Sequence, residues 1–84
     1  MQAYILLNCP PGYEREAIKE LRKLPKIKEV NGVMGRYDIF VKVSSDESQG
    51  IDKVVRKIRT IKQITGSYTM PILYDQGGSI DSII

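Results

Sequence analysis

The chain has 84 residues, 42% hydrophobic and 27% charged, the make-up of one small globular domain with little room for a second core. Its net charge of +3 and pI near 9.1 are mildly basic, short of the dense cationic patches that neutralise many phosphates. With no histidine and one cysteine, Cys9, the chain lacks the commonest general base, cannot build a thiolate metal cluster and cannot close an intrachain disulfide.

No paired-carboxylate or nucleophilic constellation stands out, so the residues point away from an enzyme and imply no cofactor. No apolar run approaches the roughly 20 residues of a membrane helix, and the N-terminus MQAYILLN lacks the basic flank and cleavage site of a secretion signal. A cytoplasmic location away from the membrane is the expectation.

In chain order, Ala3 to Cys9 (AYILLNC) is an apolar run too short for a stable helix and ended by Pro10-Pro11-Gly12, which predicts a buried strand. Cys9, alone at its end, reads as a small buried hydrophobe. A helix is predicted over Tyr13 to Leu24. Ala17, Ile18, Leu21 and Leu24 share one face, Glu14 and Glu16 sit near the positive end, and Pro25 stops it. Ile27 to Met34 predicts a strand that Asn31-Gly32 bends, and Gly35-Arg36 a tight connection to a strand over Tyr37 to Val43. Two strands joined so closely form an antiparallel hairpin.

Ser44 to Ser48 supplies a loop and a choice of helix caps. The second helix carries Ile51, Val54, Val55, Ile58 and Ile61 at 3.6-residue spacing, with Asp52 and Arg56 placed to pair on its exposed side. Its basic set, Lys53, Arg56, Lys57, Arg59 and Lys62, reads as a solvated face opposing the apolar stripe. The last strand is predicted over Ile64 to Tyr74, where Pro71 suits a sheet edge or a bulge.

The order β-α-β-β-α-β is that of a ferredoxin-like α+β fold, a four-stranded antiparallel sheet with two helices on one face. The strands are apolar on both sides, however: Ile5 and Leu7 against Tyr4 and Leu6, Ile39 and Val41 against Phe40. A half-solvated sheet alternates more cleanly, so the open face is expected to be buried against a second copy in a homodimer. The apolar tail over residues 75–84 is a further candidate for oligomer contacts.

The hairpin VNGVMGRYDIFVKV resembles that of the effector-binding domain of the Lrp/AsnC family (leucine-responsive and asparagine, or feast/famine, regulators). There a Gly-x-Tyr-Asp motif joins the second and third strands. AYILLNCPPG resembles the family's first strand and loop, IDKVVRKIRTIKQI its second helix and ITGSYTMPIL its last strand. At the last, Ser67-Tyr68-Thr69 stands where the family usually has Thr-x-Thr. The resemblance covers residues 2 to 74, with Thr65-Gly66 and Pro71 as departures.

The family's regulators also carry an N-terminal helix-turn-helix domain, whereas this sequence starts at the first strand and offers no recognition helix. It therefore looks like a stand-alone effector-binding (RAM) domain, residues 1–74, without direct DNA binding. Its initial methionine fits a complete short protein, and a fragment remains the alternative.

The resemblance implies dimers that pair through their sheet faces and assemble into larger rings, often octamers. It also implies amino-acid effectors held between dimers, at Gly35, Arg36, Tyr37 and Asp38 with Ser67 and Thr69. Each residue has a plainer role as well. Gly35 serves a tight turn, Asp38 accepts a hydrogen bond from turn backbone, Tyr37 packs, Arg36 faces either a ligand carboxylate or solvent, and Ser67 and Thr69 are ordinary strand residues.

The function expected is a non-enzymatic, oligomeric amino-acid sensor that modulates full-length regulators of the family. The alternatives are a small dimeric α+β barrel enzyme and a purely structural assembly module.

Overall fold

The structure, a computed structural model, describes residues 1–73 and 76–78. The elements are β1 (Gln2–Asn8), α1 (Glu14–Leu21), β2 (Ile27–Gly32), β3 (Ile39–Ser44), α2 (Gly50–Arg59) and β4 (Gly66–Pro71). The strands form one antiparallel sheet in the order β2-β3-β1-β4, the ferredoxin-like arrangement, with β2 and β4 at its edges.

Residues directly opposite each other in a sheet share a face, so the register sorts the side chains. One face carries Ala3, Ile5 and Leu7 of β1 beside Val43, Val41 and Ile39 of β3, all fully buried. Ala17 and Leu21 of α1 and Ile51, Val54 and Ile58 of α2 close over them and complete the core. Burying one Ile or Leu side chain is worth about 1.5–3 kcal/mol, and these positions fix which face each helix presents. The opposite face carries Tyr4, Leu6, Phe40, Tyr68 and Met70, with Asn8 and Lys42. Nothing from the described residues covers it. The Tyr4 and Phe40 rings meet on it at 5.2 Å, and Tyr68 is 55% exposed.

Several boundaries differ from the sequence reading. α1 ends at Leu21 because its last turn tightens: Lys23 N–H bonds the Glu20 carbonyl and Leu24 N–H the Leu21 carbonyl, both i to i−3. Lys26 at φ 71° then turns the chain into β2. The irregularity of β2 falls between Ile27 and Glu29 rather than at Asn31-Gly32. β2 stops at Gly32 and β3 starts at Ile39, so the connection spans Val33 to Asp38 rather than Gly35-Arg36 alone. α2 ends at Arg59, before Ile61, and β4 is confined to Gly66–Pro71.

Pro71 does lie on an edge strand, where its missing N–H costs no ladder bond. The Asp52–Arg56 pair is not formed; Glu47 instead bridges Lys26 at 2.9 Å and Lys53 at 3.3 Å. Hydrogen bonds from those two ammonium groups hold the Glu47 carboxyl below the usual carboxylate range. Tyr74 and most of the tail, including the expected oligomer contacts of Ile80, Ile83 and Ile84, lie outside the described residues.

Candidate functional site

The Val33–Asp38 connection lies at the end of the sheet where β1 finishes and β4 begins, and four hydrogen bonds hold it there. Asp38 N–H donates to the Leu7 carbonyl and Val33 N–H to the Asp38 carbonyl, both at 2.9 Å, which carries strand pairing one step past β3. The Asn8 side-chain amide donates to the Arg36 carbonyl at 2.9 Å. The Asp38 carboxylate, through Oδ2, accepts the Cys9 N–H at 3.0 Å. The sequence reading gave Asp38 a partner inside its own turn. The structure places that partner on β1's exit instead, so the carboxylate ties two strands.

Gly35 has φ 126° and open space where a side chain would begin. That conformation is nearly closed to L-residues, so glycine is required by the backbone alone. Among the described residues the N–H groups of Gly35, Arg36 and Tyr37 donate no hydrogen bond. Three backbone donors therefore stand free beside a half-buried carboxylate whose Oδ1 has no partner among the described residues.

Arg36 is exposed. Tyr37 lies flat against Tyr68 of β4, ring centroids 6.5 Å apart and planes 20° apart, so the hairpin leans across the end of β1 to reach the far strand.

The two predicted β4 residues sit apart from this cluster. Ser67 is opposite Leu7 and Thr69 opposite Ile5, which turns both towards the helix side. Ser67 Oγ accepts the Arg59 Nε–H at 3.5 Å, and with Thr65 and Gly66 these two line a shallow cavity of about 270 Å³. Thr69 serves in strand pairing. Gly35 to Asp38 thus form one contiguous turn, while Ser67 lies on the helix side of the β4 edge and Thr69 two residue pairs further in.

Three participants were missed from sequence: Asn8, Tyr68 and Arg59. Asn8 had a signal, as the one polar residue in AYILLNC. Arg59 was absorbed into the solvated basic face, and nothing in sequence singles out Tyr68.

Burial pushes the Cys9 thiol above its ordinary range, and the carboxylates of Asp38 and Glu14 push the same way. This thiol is held protonated and buried, not activated. Among the described residues no buried side-chain nitrogen or oxygen lacks a hydrogen bond, and no three metal-ligating side chains cluster. The free polar groups lie on the rim of the sheet, not inside the fold. No helix among the described residues is long and apolar enough to cross a membrane.

Residues 2–75 match the model of the Lrp/AsnC ligand binding domain. The HTH-type transcriptional regulator FL11 of Pyrococcus horikoshii is 33% identical over 73 residues, which are 87% of this chain and 48% of FL11. A homocitrate synthase of Sulfurisphaera tokodaii is 28% identical over 74 residues, 87% of this chain but 16% of that enzyme. Among solved structures, the hypothetical protein PHS023 from Pyrococcus horikoshii superposes with a TM-score of 0.77 at 37% identity, covering 88% of this chain and 92% of that one. The chain thus spans about half of the regulator it matches and about a sixth of the enzyme.

Proposed function

Because the chain belongs to the Lrp/AsnC ligand-binding domain family, a regulatory effector domain, we propose that it is a non-enzymatic sensor of an amino acid. The Gly35–Asp38 edge receives the effector within an oligomer. The observation that carries this reading is the pairing of free backbone N–H groups at Gly35, Arg36 and Tyr37 with the Asp38 carboxylate. An amino acid presents the complementary pair: its carboxylate suits the amides, and its ammonium suits Asp38.

The uncovered face formed by Tyr4, Leu6, Phe40, Tyr68 and Met70 supports the homodimer. In this reading dimers meet at their hairpin ends in a larger, octamer-like ring, and the second subunit closes the site. Effector binding then shifts assembly by its differential affinity for the two states. The output passes to full-length regulators of the family through mixed assembly in the cytoplasm, with no DNA contact from this domain.

The regulators among its relatives support the non-enzymatic role. The segment matched in homocitrate synthase is the size of one small domain, which suits a shared regulatory part rather than shared catalysis. In the same reading residues 1–74 form the sensing domain, and residues 75–84 reach a neighbouring subunit.

Thermal unfolding in the presence of each amino acid in turn tests the proposal. A true effector stabilises by RT ln(1 + [L]/Kd), about 2.7 kcal/mol at a hundredfold excess over Kd. If none raises the midpoint, the sensor role is overturned and a purely structural module takes its place.

A further inference from the structure

On the helix side, away from both the open sheet face and the hairpin, two grooves run together along the seam between α1 and α2. The larger, about 450 Å³, lies between Lys23 and Leu24 on one side and Lys57, Ile61 and Lys62 on the other. The smaller, about 310 Å³, continues past Lys57 to Lys26, Lys53, Val54 and Arg56. Helical periodicity alone spreads these cations over an exposed face. The tertiary fold gathers them, because the α1 exit brings Lys23 and Lys26 against the middle and end of α2.

Six cations line the seam. Lys23 is paired with Glu20, and Lys26 and Lys53 share Glu47. Arg56, Lys57 and Lys62 have no ion pair among the described residues. Between the charges, half-buried Leu24 and Ile61 give the larger groove an apolar strip flanked by Glu20, Thr60 and Gln63, and buried Val54 with exposed Pro25 gives the smaller one a mostly apolar floor.

We propose that this seam docks an acidic, amphipathic segment of a partner protein, its carboxylates on Arg56, Lys57 and Lys62 and its apolar side chains over Leu24 and Ile61. Charge complementarity names the acid, and the apolar floor names the amphipathic character. Nucleic acid fits less well. Three unpaired cations neutralise few phosphates, neither groove is lined by an aromatic ring for base stacking, and a phosphate backbone makes no use of an apolar floor. The lysines also complement the negative ends of the helices, but that role does not require an open apolar floor between them.

The test measures fluorescence anisotropy of three labelled probes added to the whole protein: a peptide of Glu interspersed with Leu, a polyglutamate of equal length, and a duplex DNA. The Glu/Leu peptide is expected to bind at least about tenfold more tightly than polyglutamate, with affinity falling as salt is raised. The triple variant Arg56→Glu, Lys57→Glu, Lys62→Glu is expected to lose that binding by about tenfold or more. Circular dichroism and sedimentation confirm that it keeps its fold and assembly.

Should the triple reversal misfold, Ile61→Ser alone is expected to weaken the Glu/Leu peptide and leave polyglutamate unchanged. DNA binding as tight as the peptide's overturns the proposal in favour of a nucleic-acid surface. Equal binding of the two peptides overturns the amphipathic requirement, and no binding of any probe overturns the docking site.

Discussion

The double role of Asp38 yields a prediction that separates structure from recognition. Its carboxylate accepts the N–H of Cys9, a residue 7% exposed, at 3.0 Å. In Asp38→Ala that amide loses its partner where water reaches it poorly, at a cost of about 1–3 kcal/mol. For a chain of this length each kcal/mol lowers the midpoint by about 4–8 °C. Asp38→Asn keeps an oxygen acceptor and loses only the charge assistance, a difference of about 1 kcal/mol. Thermal unfolding at one fixed protein concentration, with and without the stabilising amino acid, measures both effects, since an oligomer's midpoint depends on concentration.

The expected pattern is a large loss of basal stability in Asp38→Ala, a small one in Asp38→Asn, and loss of the ligand-induced increment in both. If Asp38→Asn keeps the full increment, the carboxylate does not meet an ammonium group and the site assignment fails. If Asp38→Ala unfolds at the wild-type midpoint, the tie to β1 contributes nothing and the account of the hairpin is wrong.

Other changes probe other parts of the molecule. Gly35→Ala should destabilise by about 1–3 kcal/mol in denaturant unfolding, through backbone strain at φ 126° alone, since nothing lies within 4 Å of the added carbon; an unchanged midpoint would show that the turn relaxes freely. Leu6→Arg, on the uncovered face beside Phe40, should yield a monomer by sedimentation while retaining helical circular dichroism, and unchanged mass would remove that face from the assembly.

Alkaline titration should show stability falling as pH rises through the ordinary thiol range near about 8.5. The raised folded pKa of Cys9 lets the unfolded chain release its proton first, so folding loses ground until the native thiol also ionises. Lysine and tyrosine titrate nearby, so the quantity to compare is the difference between wild type and Cys9→Ala. The variant should have the flatter alkaline limb, and parallel curves would refute the shift.

Much of the molecule was legible before any coordinates. The apolar run AYILL, the alternation in IFVKV and the 3.6-residue stripe from Ile51 to Ile58 are local patterns, set by where successive side chains point along one element. They determined the element order, the grouping of Ile5 with Leu7 and of Ile39 with Val41 on one side of their strands, and the two-sided apolarity of the sheet; which side the helices cover came from the tertiary structure. Element ends were less accessible. The final turn of α1 tightened and β3 began only at Ile39, outcomes governed by hydrogen bonds to neighbours rather than by propensity.

Of the candidate site, Gly35 to Asp38 with Ser67 and Thr69 were named only through the hairpin's and last strand's resemblance to the family, since a glycine and an aspartate at a turn need no ligand to explain them. What those residues do was decided by tertiary structure. The antiparallel register carries Cys9 and Asn8 beside the turn, lays Tyr37 on Tyr68 and turns Ser67 towards Arg59, over separations of 29, 28, 31 and 8 residues. Such contacts depend on the strand order β2-β3-β1-β4, which no local pattern encodes. The same holds for the basic seam: sequence placed Lys53, Arg56, Lys57 and Lys62 on an exposed helix face, and only the tertiary fold brought Lys23 and Lys26, from the segment after α1, beside them.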